Sequence, residues 1–209
     1  MAIRSTRPLA RSTLLALVLL TARARSEEPK SAGLDEPDPR AEWTPPLLHT
    51  LALFSVQRVA EAWLWPEPFA RVDEFGKHYI DAFTKPPLFD PSRPAFQWDG
   101  DSAFLNVAGH GLMGSELYLR ARTCSFGWAG SFAFAAGASA VWEYAFEGNG
   151  VRPSAQDLVY TPLAGMALGE LRYFGWTRVR SEGASPKVRW LRYVLDPLGE
   201  FERALGSPC

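Results

Sequence analysis

The chain has almost no excess of either charge: 22 lysines and arginines stand against 23 aspartates and glutamates, for a net charge of -1. That balance excludes the strongly basic footprint of a nucleic-acid-binding domain, so no nucleic-acid partner is expected. Cysteine is nearly absent, occurring only as Cys124 and as the last residue, Cys209. Two cysteines so placed make no disulfide framework, and Cys124 is expected to be a buried small hydrophobe rather than a reactive thiol. Long apolar runs are also scarce. Residues 123–142 are the only run without a formal charge that is long enough by itself to cross a hydrocarbon layer about 30 Å thick. The slightly negative mean hydropathy argues against a protein made mostly of spans. No nucleophile elbow, P-loop, paired CxxC or His-Glu-x-x-His zinc motif occurs, so no named reaction and no cofactor can be read from a motif. There is no internal repeat.

What is present begins with a layout typical of export. Arg4, Arg7 and Arg11 form a basic start, Leu14 to Leu20 an apolar stretch, and Ala22-Arg23-Ala24 a small-residue cleavage site. Residues 1–24 are therefore expected to be a cleaved signal peptide, and with no cysteine following, a lipoprotein anchor is disfavoured. Residues 25–43, rich in acids and prolines, bury too little to offset their ordering entropy and read as a disordered linker. The remaining length suits a single helical domain over 44–195. Residues 196–209 read as a tail with one short amphipathic piece. The 8 tryptophans and 13 phenylalanines suit a tightly packed interior or a membrane boundary.

Thr44-Pro45 predicts a helix start, running to about Trp65. Leu48, Leu51, Leu53, Val56, Val59, Ala60 and Trp63 fall largely on one stripe, with Arg58 and Glu61 elsewhere, so this helix is expected to lie on a core or on a membrane surface. A shorter helix is expected from Phe69 to Phe83, with His78 on its solvated side, and an irregular loop over 85–100. Three apolar segments follow within 101–176. The first, to Arg122, is predicted helical despite Gly109, Gly111 and Gly114, whose cost of roughly 1 kcal/mol each needs close approach of a neighbour as compensation. The second ends at Trp142-Glu143-Tyr144. The third is expected from an N-cap at Thr161 to about Phe174, with Gly165 and Gly169 as a small-residue face. The expected fold class is all-α, a glycine-rich helical bundle with long proline-rich loops.

If these segments run antiparallel, Asp101, Glu143, Glu147 and Asp157 gather at one end and Arg120, Arg122, Arg172 and Arg178 at the other. Asn106 and His110 lie four residues apart near the acidic end. His110, Glu143, Glu147 and Asp157 are the candidate catalytic residues, His110, Glu143 and Glu147 the candidate metal ligands, and Asn106 and Thr161 the candidate ligand-binding residues. A histidine and carboxylates converging in an apolar bundle suit a hard or borderline metal or acid–base chemistry. The expected reading is the plainer one, mutual hydrogen bonding that fixes the bundle's register.

The ordered set Asn106-Val107-Ala108-Gly109-His110, Gly114-Ser115, Ala121-Arg122, Trp142-Glu143-Tyr144 with Glu147, Pro153-Ser154, Asp157-Leu158, Thr161-Pro162, Gly165 and Gly169-Glu170 resembles a bacterial envelope family known as domain of unknown function 3943. The order histidine, glutamate, aspartate is more loosely similar to VanZ-like membrane proteins. Neither resemblance implies a reaction or ligand. The expected function is that of an exported cell-envelope protein, periplasmic or inner-membrane associated, with a structural or binding role and a membrane lipid or envelope protein as partner. The alternative is a membrane-face hydrolase or lipid-modifying enzyme using the His/Glu/Asp cluster.

Overall fold

The computed structural model describes residues 41–181 and 183–209. The expected signal peptide, and the expected linker apart from residues 41–43, lie outside the described residues. Among the described residues there is no strand, only an isolated bridge between Leu88 and Ser154, and the fold is all-α.

Helix α1 (Thr44–Leu64) opens with proline in its first turn, where a missing N–H loses no helix bond. The prolines at 66 and 68 break the chain into a single turn, α2 (Pro66–Phe69), before α3 (Phe75–Thr84). The continuous helix expected over 69–83 is therefore shortened at its start. After the loop comes a π-helical turn, Leu105–Gly109, leading into α4 (His110–Thr123). The chain reverses at residues 124–127, and α5 (Trp128–Val141) leads into a second π-helical turn, Trp142–Phe146. Helix α6 (Ala155–Arg180) is the longest. A 3-10 turn (Arg189–Leu191) and α7 (Arg192–Leu195) then lead to α8 (Pro197–Ala204).

Two expectations for this region are corrected. The uncharged run 123–142 is cut by the reversal before Trp128, and among the described residues no helix is long and apolar enough to cross a membrane. The N-cap of α6 lies seven residues before the one expected at Thr161. Ser154 is its cap, accepting from the Asp157 amide at 3.2 Å, and the helix continues through Pro162.

Helices α4 and α6 pack most closely, and the reason lies in two glycines. A Cβ on Gly165 would come within 2.5 Å of the Gly114 carbonyl carbon, so the backbones touch only because both side chains are absent. Of the first three glycines, Gly109 has open space around it and Gly111 ordinary contact distance to Tyr160, so Gly114 alone meets the expectation of close approach. Phe54, Met113, Leu117, Tyr118, Ala135 and Trp142 form the principal apolar cluster.

Helix α1 turns much of its apolar surface outward: Leu48, Leu51, Val56, Val59 and Trp63 are exposed, while its inward side mixes His49 and Thr50 with Pro46 and Phe54, and Leu53 packs against the core. Helix α6 repeats the pattern: Gln156, Asp157 and Thr161 are buried, while Val159, Leu163, Leu171 and Phe174 face outward.

At the basic end Arg120, Arg122 and Arg172 are paired, and Arg178 lies over the Phe174 ring. Arg120, 1% exposed, meets Glu202 at 2.8 Å, and Glu202 also meets His49 Nδ1 at 2.6 Å. Arg172 reaches Glu116 and the Ser115 hydroxyl, each at 2.7 Å, and Arg122 meets Glu170 at 2.9 Å. The C-terminal residues take part in this end. Asp196 caps α8, Glu200 accepts from Trp176 and Arg180, and Cys209 is joined by a disulfide to Cys124. The expectation that Cys124 is an unpaired buried hydrophobe is thus corrected. Residues far apart in sequence become neighbours when α8 folds back onto the end of α4.

Candidate functional site

The polar residues of the acidic end form two adjoining groups that share His110. The first is a buried network built on the N-terminus of α6. The Ser154 amide donates to Glu143 Oε2 at 2.7 Å, while the Ser154 hydroxyl donates to Asp99 Oδ2 at 2.7 Å and accepts from the Asp157 amide. Asn106 donates from Nδ2 to Asp99 Oδ1 at 2.8 Å and to the Phe96 carbonyl at 3.0 Å. His110 places Nδ1 3.1 Å from the Thr161 hydroxyl and Nε2 3.8 Å from Asp157 Oδ2. Asn106, Glu143, Asp157 and Thr161 are all at most 2% exposed.

Both π-helical turns lie at this network. Asn106 is in the first, His110 follows it directly, and Glu143 is in the second. Such turns are rare, and in α-helical proteins they concentrate at functional sites. In a regular α-helix Glu143 and Glu147, four apart, would share one face. They part across the second turn, with Glu143 joining the buried network and Glu147 lining the neighbouring cavity.

That cavity is the second group, about 300 Å³ in volume. Gln57 and Glu61 of α1, Asp101, His110, Trp142 and Glu147 are among the side chains around it. Four carboxylates, Glu61, Glu67, Asp101 and Glu147, line it, and among the described residues no lysine or arginine does.

Burial sets the protonation states of both groups, because a charge removed from water is disfavoured. It pushes His110 down to about 4, leaving a neutral imidazole. It pushes Glu61 up to about 7 and Glu143 up to about 8, and it holds Glu147 well above the usual carboxylate range. Asp157 is raised to about 7 by burial and then by its hydrogen bond with Asp99. Asp99 feels the same burial, yet hydrogen bonds from Asp157, Ser154, the Asp101 amide and Asn106 keep it below the usual range. The pair therefore divides its roles, with Asp157 carrying the proton and Asp99 the charge.

The structure brings together Asn106, His110, Glu143, Asp157 and Thr161 in one network, with Glu147 beside it. Asp99 and Glu61 escaped the sequence reading. Asp99 sits in the irregular loop, where no periodicity points inward, and Glu61 belongs to the polar side of α1, whose inward direction the stripe does not reveal. A proline-rich loop ending in an acidic residue just before the Asn106 helix was the one available signal for Asp99.

Residues 95–198 match the model of the family described as Domain of unknown function (DUF3943), and this part of the chain belongs to that family. The matched segment holds most of the buried network, from Asp99 to Thr161. The looser similarity to VanZ-like membrane proteins has no such match behind it. No curated protein and no solved structure matches the chain.

Proposed function

We propose that this is an exported cell-envelope protein with a non-enzymatic role, seated against membrane lipid by its apolar exterior. The observation that carries this reading is the apolar outer side of α1, where Val56 and Val59 are each 70% and Trp63 80% exposed while His49 and Thr50 turn inward beside Phe54. Water gives such a stripe no stabilisation. Burying each of these side chains in the boundary of a bilayer contributes about 1.5–3 kcal/mol, offset in part by ordering. Export is supported by the basic, apolar and small-residue layout of the N-terminus, and by the Cys124–Cys209 disulfide, which suits an oxidising compartment.

Flotation of the purified protein with vesicles of phosphatidylethanolamine and phosphatidylglycerol tests the reading. The wild type is expected in the lipid fraction, and the double variant Leu51→Glu, Val59→Glu in the protein-only fraction with unchanged circular dichroism. Wild-type protein that stays below the lipid overturns it. A second reading, a membrane-face hydrolase or lipid-modifying enzyme, is favoured by one observation: the neutral His110 belongs both to the buried network and to the cavity wall. The two readings part at His110→Ala, which leaves a lipid-seating role intact and abolishes an enzymatic one.

A further inference from the structure

We propose that His110, Glu143 and Asp157 form a binding site for one divalent transition-metal ion of the zinc or manganese class. This does not rest on lipid contact. One imidazole nitrogen and one oxygen from each carboxylate lie within 4.8 Å of one another, and Glu143 and Asp157 are almost fully buried. Ligand atoms around a tetrahedral ion with bonds of about 2.0–2.2 Å sit roughly 3.4 Å apart, so a closing of about an ångström completes the site. The 3.8 Å between His110 Nε2 and Asp157 Oδ2 is already near that spacing.

The hydrogen bonds leave the right atoms for an ion. Thr161 engages His110 Nδ1, so Nε2 faces Asp157. This is the arrangement by which an outer partner fixes the tautomer and orientation of a ligating histidine. The Ser154 amide occupies Glu143 Oε2, while Oε1 of the same side chain, 1% exposed, has no hydrogen-bond partner among the described residues. Asn106 Oδ1, on a fully buried side chain, is unpartnered as well. An unpaired buried acceptor costs about 1–3 kcal/mol. An ion satisfies Glu143 directly, and a water on the ion can reach further acceptors.

The donor set selects the class of ion. The imidazole suits zinc and iron, the two carboxylates suit manganese, and the absence of thiolate or thioether from the three disfavours the copper(I) class. Three protein ligands leave a coordination position open, as in sites where the ion meets a ligand rather than only bracing a fold. His110 lines the 300 Å³ cavity and Glu143 and Asp157 do not, so the ion is reached from the cavity past the imidazole. Asp99 hydrogen-bonds Ser154 and Asn106 and steadies the ligands from outside.

The test is a zinc titration of chelator-stripped, full-length protein by calorimetry, with cobalt absorption as a probe of imidazole ligation. One ion per chain is expected for the wild type. Affinity should fall by at least about 100-fold in Glu143→Gln and His110→Gln, and by about 10–100-fold in Thr161→Val, which removes the outer partner and leaves the ligands. Glu67→Gln should bind within about threefold of wild type, as its side chain lines the cavity outside the ligand group. Folded wild type that takes up neither zinc nor manganese overturns the proposal. So does a Glu143→Gln variant that binds as wild type does, or a loss in Glu67→Gln equal to that in Glu143→Gln. Should Glu143→Gln fail to fold, the wild-type stoichiometry and Thr161→Val decide between the same outcomes.

Discussion

Gly114 and Gly165 show how a single absent atom sets the geometry of the site. Helix α6 carries Asp157 and Thr161, α4 carries His110, and the two helices approach until backbone meets backbone at these glycines. A methyl group on Gly165 forces the helices apart and separates Thr161 from His110. Gly165→Ala is therefore expected to lower stability by about 1–3 kcal/mol, the usual range for overpacking a tight interior. Gly137 in α5 has nothing within 4 Å of its Cβ position. Gly137→Ala should be neutral or stabilising by up to about 1 kcal/mol, since it gains helix propensity and meets no neighbour. Urea denaturation of both variants checks the pair, and equal effects would remove close approach as the reason for Gly165.

At the scale of elements, helices were legible where periodicity and prolines agree: α1 begins within a residue of the expected start at Pro45, although Trp43 rather than Thr44 holds the cap position and no side chain caps it. The direction of α1 was not legible. A stripe of Leu48, Leu51, Val56, Val59 and Trp63 defines two faces, but which face turns inward depends on whether buried partners exist for the polar one. Here Glu202 meets His49 and Asn149 meets Arg58. The π-helical turns were also hidden, because one extra residue per turn leaves no mark in composition. The disulfide was missed for a related reason: Cys124 and Cys209 are 85 residues apart, and only the docking of α8 brings them together. Closing a loop of that length corresponds to about 4–5 kcal/mol in the chain-entropy model, with measured effects more often about 2–4 kcal/mol. Cys209→Ser is expected to lose about 2–4 kcal/mol of unfolding free energy. An unchanged urea midpoint would show that the ion pairs of Glu202 and Arg203 hold the C-terminal segment without the bond.

For the whole molecule, carboxylates of opposite behaviour sit at opposite ends, and this fixes the direction of its pH dependence. At the acidic end burial raises Glu61 to about 7, holds Glu147 well above 4.5, and shifts Glu143 and Asp157 the same way. Each of these binds a proton in the folded chain at a pH where the unfolded chain has lost it, so their contribution is greatest at low pH and is lost as pH rises through about 7 to 8. His110, lowered by burial to about 4, acts the other way below its ordinary value of 6.5, but it is one group against four. At the basic end, Glu170, Glu200 and Glu202 lie below the usual range despite partial burial, because hydrogen bonds and nearby cationic groups hold them ionised. Their contribution is present above about pH 4.5 and is lost as pH falls through their lowered values. The two ends together place maximum stability on the acid side of neutrality. Chelator-treated protein is expected to melt at a higher temperature at about pH 5.5 than at about pH 8, and Glu61→Gln with Glu147→Gln should flatten that difference, since an amide needs no proton to be buried. Calorimetric melting across this range checks the sign. A midpoint that rises toward pH 8 in the metal-free protein would mean that these cavity carboxylates are ionised in the fold, with water or a bound cation compensating their burial.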